Sequence, residues 1–295
     1  MKRQLLNGRP EGRSLAIFFL LVFLLSVPFW VAGPIVERLL PAELSANLPV
    51  SALMACAPVI AAVLLIRREQ GAGAASGLLR RALDYKRIHR KAWYVPIFFL
   101  LPAMMVLQYG LLKLMGQVPA EPKLPALTVP VSFAVFFVGA LGEEVGWQGY
   151  AFGRLQARWN ALAASIILGI VWTLWHVIPF VQMGRTPTWI VWHGLGMVMA
   201  RILYIWIYNN TGESVFAASL FHAMHNVSTV LLPGCGWPYE PFVTFAILAG
   251  TAATVVFLWG PRTLDKYRFA RSGRKVPTIA ASWPKPREKD RRAMR

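Results

Sequence analysis

Long apolar runs separated by short polar segments dominate the chain. Eight runs approach or reach the length that crosses a hydrocarbon core of about 30 Å at a helical rise of about 1.5 Å per residue. They lie at Leu15 to Val31, Leu48 to Ile66, Trp93 to Leu114, Val129 to Phe152, Ala161 to Phe180, Thr188 to Asn209, Val215 to Leu232 and Phe242 to Trp259. Backbone amides in lipid need internal partners, and no run alternates like a barrel strand. We therefore expect an all-α, polytopic membrane helical bundle of about eight transmembrane helices.

Composition supports the same class of protein. Hydrophobic residues make up 56% of the 295 residues and charged residues only 15%, whereas soluble domains carry about 25% charged residues. This balance argues against a soluble enzyme, a disordered basic protein and a disulfide-stapled secreted module.

The net charge of +18 predicts orientation. Of the 31 Lys and Arg residues, 26 fall in the segments on one side of the predicted spans and four on the other, with Arg201 inside a span. The positive-inside rule then places both termini in the cytoplasm. We expect anionic lipid headgroups, and no nucleic acid, as the partners of this charge. The predicted location is a bacterial plasma membrane, in which the chain is an integral multi-pass protein.

The predicted spans divide the chain into three parts. Residues 1–14 form a cytoplasmic N-terminus, residues 15–259 a transmembrane domain, and residues 260–295 a basic cytoplasmic tail that we expect to be poorly ordered. Residues Gly71 to Gly77 are expected to be a small flexible stretch within a cytoplasmic loop.

Two adjacent carboxylates in the fourth predicted span, Glu143 and Glu144, carry the strongest chemical signal. Ionisable groups inside a membrane are costly and face a cavity or a partner. Neighbouring side chains on a helix point about 100° apart, so one glutamate can face a reaction cavity while the other anchors a neighbouring helix. In the alternative, the pair begins a cytoplasmic loop. The apolar and aromatic residues that continue to Phe152 favour the buried arrangement.

Further polar residues lie in two other spans. His176 is in the fifth span, and His222 and Asn226 are four residues apart in the seventh, so they share a helix face. A packed histidine and a helix-packing clasp are the structural alternatives. Taken together, two glutamates, two histidines and an asparagine supply a base for water, a partner that orients it, and donors for an oxyanion.

The same residues resemble the motifs of a known family. Glu143-Glu144-Val-Gly-Trp-Gln148, Trp172-x-x-x-His176 and His222-x-x-x-Asn226 are similar to the EExxxR, FxxxH and HxxxN/D patterns of the CPBP family. This is the CAAX protease and bacteriocin-processing group of intramembrane endopeptidases, also called the Abi family. The similarity covers about residues 130–232, which we take as the CPBP-like core.

The resemblance implies an intramembrane peptidase. By the family's scheme, Glu143 and His176 activate a water for attack on a peptide carbonyl, His222 and Asn226 stabilise the oxyanion, and Glu144 supports the site. The implied substrates are membrane-associated peptides or proteins, prenylated in the eukaryotic relatives. No cofactor is expected under this scheme, and the oligomeric state is left open.

Two residues depart from the motifs. Trp172 takes the place of the phenylalanine of the second motif, a change that keeps an apolar ring, and Gln148 stands where the first motif has arginine, with Arg154 and Arg201 as the two candidates to replace that cation. The depths of the site residues in the predicted spans are a separate difficulty. Counted from the predicted span ends, Glu143 and His222 lie roughly 10 to 11 Å from the cytoplasmic side but His176 roughly 22 Å. The three meet only if the spans tilt or begin elsewhere.

Two alternative functions use the same side chains. In a metal-dependent version of the protease, Glu143, His176 and His222 would hold Zn²⁺ and leave one position for water. In a catalytically weak immunity or scaffold protein, the same cavity would bind a peptide or partner, and Gln148 is the feature that favours this role.

Overall fold

The computed structural model describes residues 11–39, 50–117 and 126–269, and within these ranges the chain forms helices and turns with no β-strand. The α-helices are α1 (Glu11–Leu39), α2 (Ala57–Gln70), α3 (Ala72–Arg80), α4 (Tyr94–Leu114), α5 (Thr128–Gly146), α6 (Gly153–Gln156), α7 (Ala161–Gln182), α8 (Pro187–Asn210), α9 (Val215–Asn226), α10 (Leu232–Gly234) and α11 (Pro241–Trp259). Short 3₁₀ turns occupy Val50–Cys56, Arg81–Leu83, Tyr85–Arg87 and Lys91–Trp93, and π-helical segments follow α5 at Trp147–Phe152 and α9 at Val227–Leu231.

The predicted all-α membrane bundle is confirmed. Among the described residues, six helical segments are long and apolar enough to cross a membrane: Gly12–Val36, Lys91–Leu114, Thr128–Gln156, Ala161–Gln182, Pro187–Asn210 and Pro241–Trp259. The α-helices of the second and seventh predicted spans, α2 and α9, are shorter. A 3₁₀ segment precedes α2 and a π-helical segment follows α9, so these two spans are not among the six long helices. Residues 48 and 49 of the second predicted span lie outside the described residues.

The connecting segments gather at two ends of the bundle. At one end, Arg87 Nη1 donates to Gly212 O at 3.0 Å, Asn209 Nδ2 donates to Thr263 O at 2.6 Å, and Ala161 N donates to Arg262 O at 2.8 Å. At the other end, Gln108 near the end of α4 donates to Pro238 O at 2.8 Å. Segments that follow α2, α6, α8 and α11 therefore share the basic end, as alternating crossings of eight helical segments require.

Close contact between α2 and α5 depends on glycine. A Cβ built on Gly146 would lie 2.5 Å from the carbonyl carbon of Pro58, and one on Gly142 would lie 2.7 Å from Ala55 O. These two glycines are four residues apart and so form one face of α5, where small residues let membrane helices approach closely. The glutamates between them consequently point away from α2, toward α7, α8 and α9.

Glycine and buried hydrogen bonds also position α7. A Cβ on Gly169 would lie 3.0 Å from Val198 Cα, so α7 and α8 are in near-backbone contact there. On its other side α7 is joined to α1 because Trp175 Nε1 donates to Ser26 Oγ at 2.7 Å, with Trp175 and Ser26 fully buried. The helix that carries His176 is thus fixed from two directions.

The π-helical continuation of α5 changes the predicted depths. The helical run that begins at Thr128 ends at Gln156 and not at Phe152, which puts Glu143 about 20 Å from the turn between α6 and α7 at about 1.5 Å per residue. His176 lies about 22 Å from the same turn, counted from Ala161. The counted depths of Glu143 and His176 therefore agree, because the end of the fourth span was predicted too early. His222 lies only about 10 Å from Val215 by the same count, and it reaches the depth of Glu143 because α9 starts at a residue that is already buried in the bundle.

Two expectations of disorder are corrected. Residues 72–80, which include most of the stretch from Gly71 to Gly77, form α3, with Ala75 and Leu78 buried against the bundle. The first part of the tail, up to residue 269, also packs, since Leu264 is fully buried and its carbonyl accepts a hydrogen bond from Asn210 Nδ2 at 2.7 Å. Residues 270–295 of the predicted tail lie outside the described residues.

Candidate active site

Glu143 and Glu144 are both buried, with 7% and 0% of their surface exposed. They do not begin a loop, because the helical run continues beyond them to Gln156. Their carboxylates have different partners, as their separation on the helix predicts. Glu143 Oε2 accepts a hydrogen bond from Trp172 Nε1 at 2.8 Å, whereas Glu144 is bonded to residues of α8 and α9.

The Glu144 carboxylate is paired with Arg201. Nη1 of Arg201 donates to both carboxylate oxygens at 3.0 Å, and both side chains are fully buried. The guanidinium also lies over the rings of Trp172 and Tyr204, at 4.1 and 4.6 Å from their centroids. A buried ion pair of this kind needs such additional contacts to offset desolvation, and here they hold α5, α7 and α8 together.

His222 stands between the two glutamates. Its Nδ1 is 2.9 Å from Glu144 Oε1, and its Nε2 is 4.0 Å from Glu143 Oε1. Because an ionised carboxylate only accepts hydrogen bonds, Nδ1 carries the proton in the bond to Glu144. Nε2 is then the ring atom that faces the Glu143 carboxylate across a gap wider than a hydrogen bond.

His176 packs against the aromatic ring of Trp172 in the site. Its Nδ1 is 2.8 Å from the carbonyl oxygen of Trp172, and since a carbonyl only accepts, Nδ1 is again the donor. Nε2 of the neutral ring is left as an acceptor. The ring lies edge-on to Trp172, at 5.1 Å between centroids, and is partly exposed. His176 is therefore oriented by its own helix and accessible from outside the packed core.

Two predicted residues make fewer contacts. Asn226 lies one turn beyond His222 on α9, is partly buried, and has no hydrogen-bond partner for its side chain among the described residues. Gln148 is fully buried, and within the described part of the chain neither atom of its amide has a partner. The side-chain oxygen and nitrogen of Gln148 thus do not take the place of a motif arginine.

The structure selects Arg201 over Arg154 as the replacing cation. Arg154 Nη2 pairs instead with Glu69 Oε2 at 2.8 Å, away from the glutamate pair. A sequence signal for this choice exists. Arg201 is the basic residue that falls inside a predicted span, and a charge at that depth requires an acidic partner in the membrane.

A buried tyrosine–histidine pair adjoins the site and was not predicted. Tyr204 OH is 2.8 Å from Nδ1 of His225, and both residues are almost completely buried. The Tyr204 ring meets the ring of His222 at 5.4 Å between centroids. Since His225 lies off the stripe formed by His222 and Asn226, spacing alone gave no reason to include it.

Glu143, His176 and His222 are the potential metal ligands of the site. Among the residues that the structure describes, no group of three or more His, Cys, Asp and Glu side chains is arranged to hold a metal ion. Glu143, His176 and His222 share one site but do not converge as a ligand set in this arrangement. We therefore derive no step that passes through a metal.

Comparisons with known proteins identify the family of this chain. The family model described as type II CAAX prenyl endopeptidase Rce1-like matches residues 125–228, which contain all five predicted site residues. A CAAX prenyl protease 2 from Methanococcus maripaludis is 30% identical over 192 residues, covering 60% of this chain and 69% of that protein. The chain belongs to the CPBP family of CAAX proteases.

Membership in the CPBP family supports an intramembrane protease function, and the helices make the chain an integral, multi-pass membrane protein. The matched residues begin just before α5 and end just after α9, so they include the three helices that carry Glu143, His176 and His222. α1 to α4, α10 and α11 lie outside the family match and surround it.

Proposed function

We propose that this protein hydrolyses peptide bonds of membrane-associated substrates with a water activated by Glu143 and His176. The observation that carries the proposal is the placement of Glu143, whose carboxylate is buried, held by Trp172 Nε1 on one oxygen and 4.0 Å from His222 Nε2 on the other. A carboxylate that faces an imidazole nitrogen in this way suits a water molecule that must lose a proton.

Charge in the site supports Glu143 as the base. Glu144 and Arg201 neutralise each other as a fully buried pair, so the charge of Glu143 is the one that remains when His222 is neutral. When Glu143 takes a proton from water, its negative charge moves to the attacking oxygen and then to the peptide carbonyl oxygen, where hydrogen-bond donors of the site can stabilise it. The same proton then passes to the amine that leaves when the C–N bond breaks.

The histidines have separate roles in this scheme. His176 accepts a hydrogen bond from the attacking water through Nε2, because its Nδ1 is committed to the Trp172 carbonyl. Asn226, one turn from His222 on α9, stabilises the oxyanion that forms on the peptide carbonyl through its amide N–H groups. His222 contributes through Nε2 once that nitrogen carries a proton, because in the neutral ring with Nδ1 protonated Nε2 is only an acceptor. Glu144 holds His222 in place by accepting from Nδ1. These are the roles that the family resemblance implies.

The substrate class follows from the family and from the depth of the site. The relative is named a CAAX prenyl protease, and the depth of Glu143, about 20 Å from the turn at one end of its helix, favours substrates that enter the bilayer. We propose peptides or proteins anchored in the membrane, with a prenyl group as the candidate anchor, and anionic lipids at the basic end. A bacterial plasma membrane remains the predicted location.

The replacement of Glu143 by Gln tests the proposal. The purified protein in lipid nanodiscs is assayed with a fluorescence-quenched farnesylated CAAX-type peptide and with the same peptide lacking the farnesyl group. Glu143→Gln should lower turnover by at least a thousandfold, because the amide cannot take the proton, while Glu69→Gln, whose partner Arg154 lies away from the glutamate pair, should keep wild-type turnover. Undiminished turnover in Glu143→Gln would overturn the assignment.

Metal dependence is measured in the same assay. We propose that the water is activated without a metal ion. Metal analysis of the active protein and titration with a chelator then check this point. Loss of turnover with the chelator, restored by Zn²⁺ and accompanied by stoichiometric metal, would favour the metal-dependent alternative instead.

The alternative of a catalytically weak binding protein rests on Gln148. Arg201 weakens that argument, because it supplies the cation that Gln148 lacks and pairs it with Glu144. A cellular phenotype that persists in both Glu143→Gln and His176→Ala would favour binding over hydrolysis.

A further inference from the structure

The loop between α3 and α4 contacts the helices of the candidate site. Its basic residues contribute to the predicted orientation, but these contacts are not needed for that role. Residues 81–87 reach three separate parts of the structure: the π-helical segment after the glutamates, the end of α8, and the first turn of α9. These residues lie before the stretch that the family model matches. We call residues 81–87 the clamp loop.

Asp84 of the clamp loop caps α9. Its Oδ1 accepts from Ser214 Oγ at 2.7 Å and from the backbone N–H of Phe216 at 3.1 Å, and its Oδ2 accepts from the N–H of Val215 at 3.3 Å. The Asp84 side chain is only 10% exposed. A carboxylate at a helix N-terminus satisfies free N–H groups and interacts favourably with the helix dipole.

Arg81 joins the same cap to the glutamate helix. Its Nη1 donates to Gly149 O at 3.2 Å, and its Nη2 donates to Tyr208 OH at 2.6 Å and to Glu213 O at 2.7 Å. Gly149 lies in the π-helical segment that continues α5, and Glu213 lies in the turn that enters α9. One guanidinium therefore ties the helix of Glu143 to the start of the helix of His222.

The clamp matters because it lies at the start of α9. The helical run of which α9 is the first part extends from Val215 to Leu231, and Val215 at its start is fully buried within the bundle. His222 lies two turns from that start. A shift or rotation at Val215 is consequently transmitted to the gap between His222 Nε2 and Glu143 Oε1.

We propose that Arg81 and Asp84 are positioning residues of the peptidase, which set His222 at its working distance from Glu143. This inference rests on the proposed function. The clamp loop then has a role beyond topology, since Asp84 fixes the start of α9 and Arg81 fixes that start relative to α5.

Hydrogen exchange tests the clamp without any assay of activity. In Asp84→Ala, the peptide that covers the first turns of α9 should exchange at least tenfold faster than in the wild type, while peptides from α11 keep their protection. Asp84→Asn should recover part of the protection, because the amide oxygen can still accept from Ser214 and Phe216. Unchanged exchange in α9 of Asp84→Ala would overturn the proposal.

Kinetics separate positioning from a general loss of stability. The matched control is Glu69→Ala, which breaks another ion pair of the basic end, to Arg154 at 2.8 Å, without touching α9. We expect kcat of Asp84→Ala to fall at least tenfold with KM within twofold, a partial recovery in Asp84→Asn, and kcat near wild type in Glu69→Ala.

The outcomes distinguish this inference from the proposed function. A wild-type protein without peptidase activity would overturn the proposed function, and the exchange experiment would still decide whether the clamp holds α9. Faster exchange in α9 together with an unchanged kcat would show that Asp84 only stabilises the helix, and would overturn the positioning role.

Discussion

At the residue scale, two adjacent carboxylates are made different by what surrounds them. Glu144 is neutralised by Arg201 and bonded to Nδ1 of His222. Glu143 receives one indole N–H from Trp172 and faces the remaining nitrogen of the same histidine. Glu144 is thus held in structural contacts, so Glu143 is the carboxylate that is free to exchange a proton.

The Glu144–Arg201 pair should be strongly coupled in stability. Arg201→Gln leaves a buried carboxylate without its cation and should lower the free energy of unfolding by about 3–5 kcal/mol, and Glu144→Gln should cost a similar amount. The double variant removes both charges and should cost far less than the two single changes together. Unfolding of the four proteins in detergent, compared as a double-mutant cycle, measures this coupling. Additive losses would show that the pair is not an energetic unit.

The indole of Trp172 should matter for its N–H as well as for its ring. Trp172→Phe keeps an aromatic ring in the site but removes the donor to Glu143, which lies 2.8 Å away. Hydrogen bonds to charged groups contribute about 1.5–3 kcal/mol, so we expect turnover to fall by about tenfold or more while the protein stays folded. Kinetics of the farnesylated peptide, with thermal unfolding as the control, check this expectation. Turnover equal to that of the wild type would mean that the indole does not orient the carboxylate.

At the element scale, glycine faces bring the site helices to their working distances. The face of α5 that bears Gly142 and Gly146 lies against α2, and Gly169 of α7 lies against α8. Neighbouring backbone occupies these faces. The side chains of Glu143 and Glu144, which lie between the two glycines of α5, therefore point toward the shared site.

Gly146→Ala should separate α2 from α5. The added Cβ would lie 2.5 Å from backbone and side-chain atoms of Pro58, which cannot move away as a flexible side chain could. Overpacking of this kind costs about 1–3 kcal/mol. The matched control is Gly250→Ala in α11, where a Cβ meets nothing within 4 Å and where alanine favours the helix. Thermal unfolding of both variants should show a lower Tm only for Gly146→Ala. Equal Tm values would contradict the proposed close packing.

The elements and the site differ in how far the sequence could predict them. Apolar runs predicted all eight helical segments, since the cost of exposed amides in lipid permits little else. The predicted ends agree with the structure within a few residues, except that α1 ends at Leu39 and not at Val31. The sequence also named the five motif residues. The motifs did not choose between Arg154 and Arg201. The position of Arg201 inside a predicted span favours it, but its pairing with Glu144 depends on which helices lie side by side. The cap by Asp84 was equally hidden, as a contact across 130 residues leaves no local pattern.

At the scale of the whole molecule, basic residues serve two purposes at the same end. Their distribution, 26 against four, predicts orientation. Arg81, Arg87 and Arg154 from the same set also bind backbone carbonyls or a carboxylate and hold the helix ends together. The charge excess is therefore partly structural, which the distribution alone did not indicate.

The orientation itself remains a prediction, and reporter fusions test it. Contacts of Arg87 with Gly212, and of Ala161 with Arg262, put the segments after α2, α6, α8 and α11 at one end. If that basic end is cytoplasmic, green fluorescent protein fused after residue 295 should fluoresce and alkaline phosphatase at that position should be inactive. Truncation after Gly184, in the turn at the opposite end of α7, should give active alkaline phosphatase and no fluorescence. The reverse pattern would show that the protein has the opposite orientation in the membrane. It would also place the clamp loop, and any substrate that enters beside it, on the outer side.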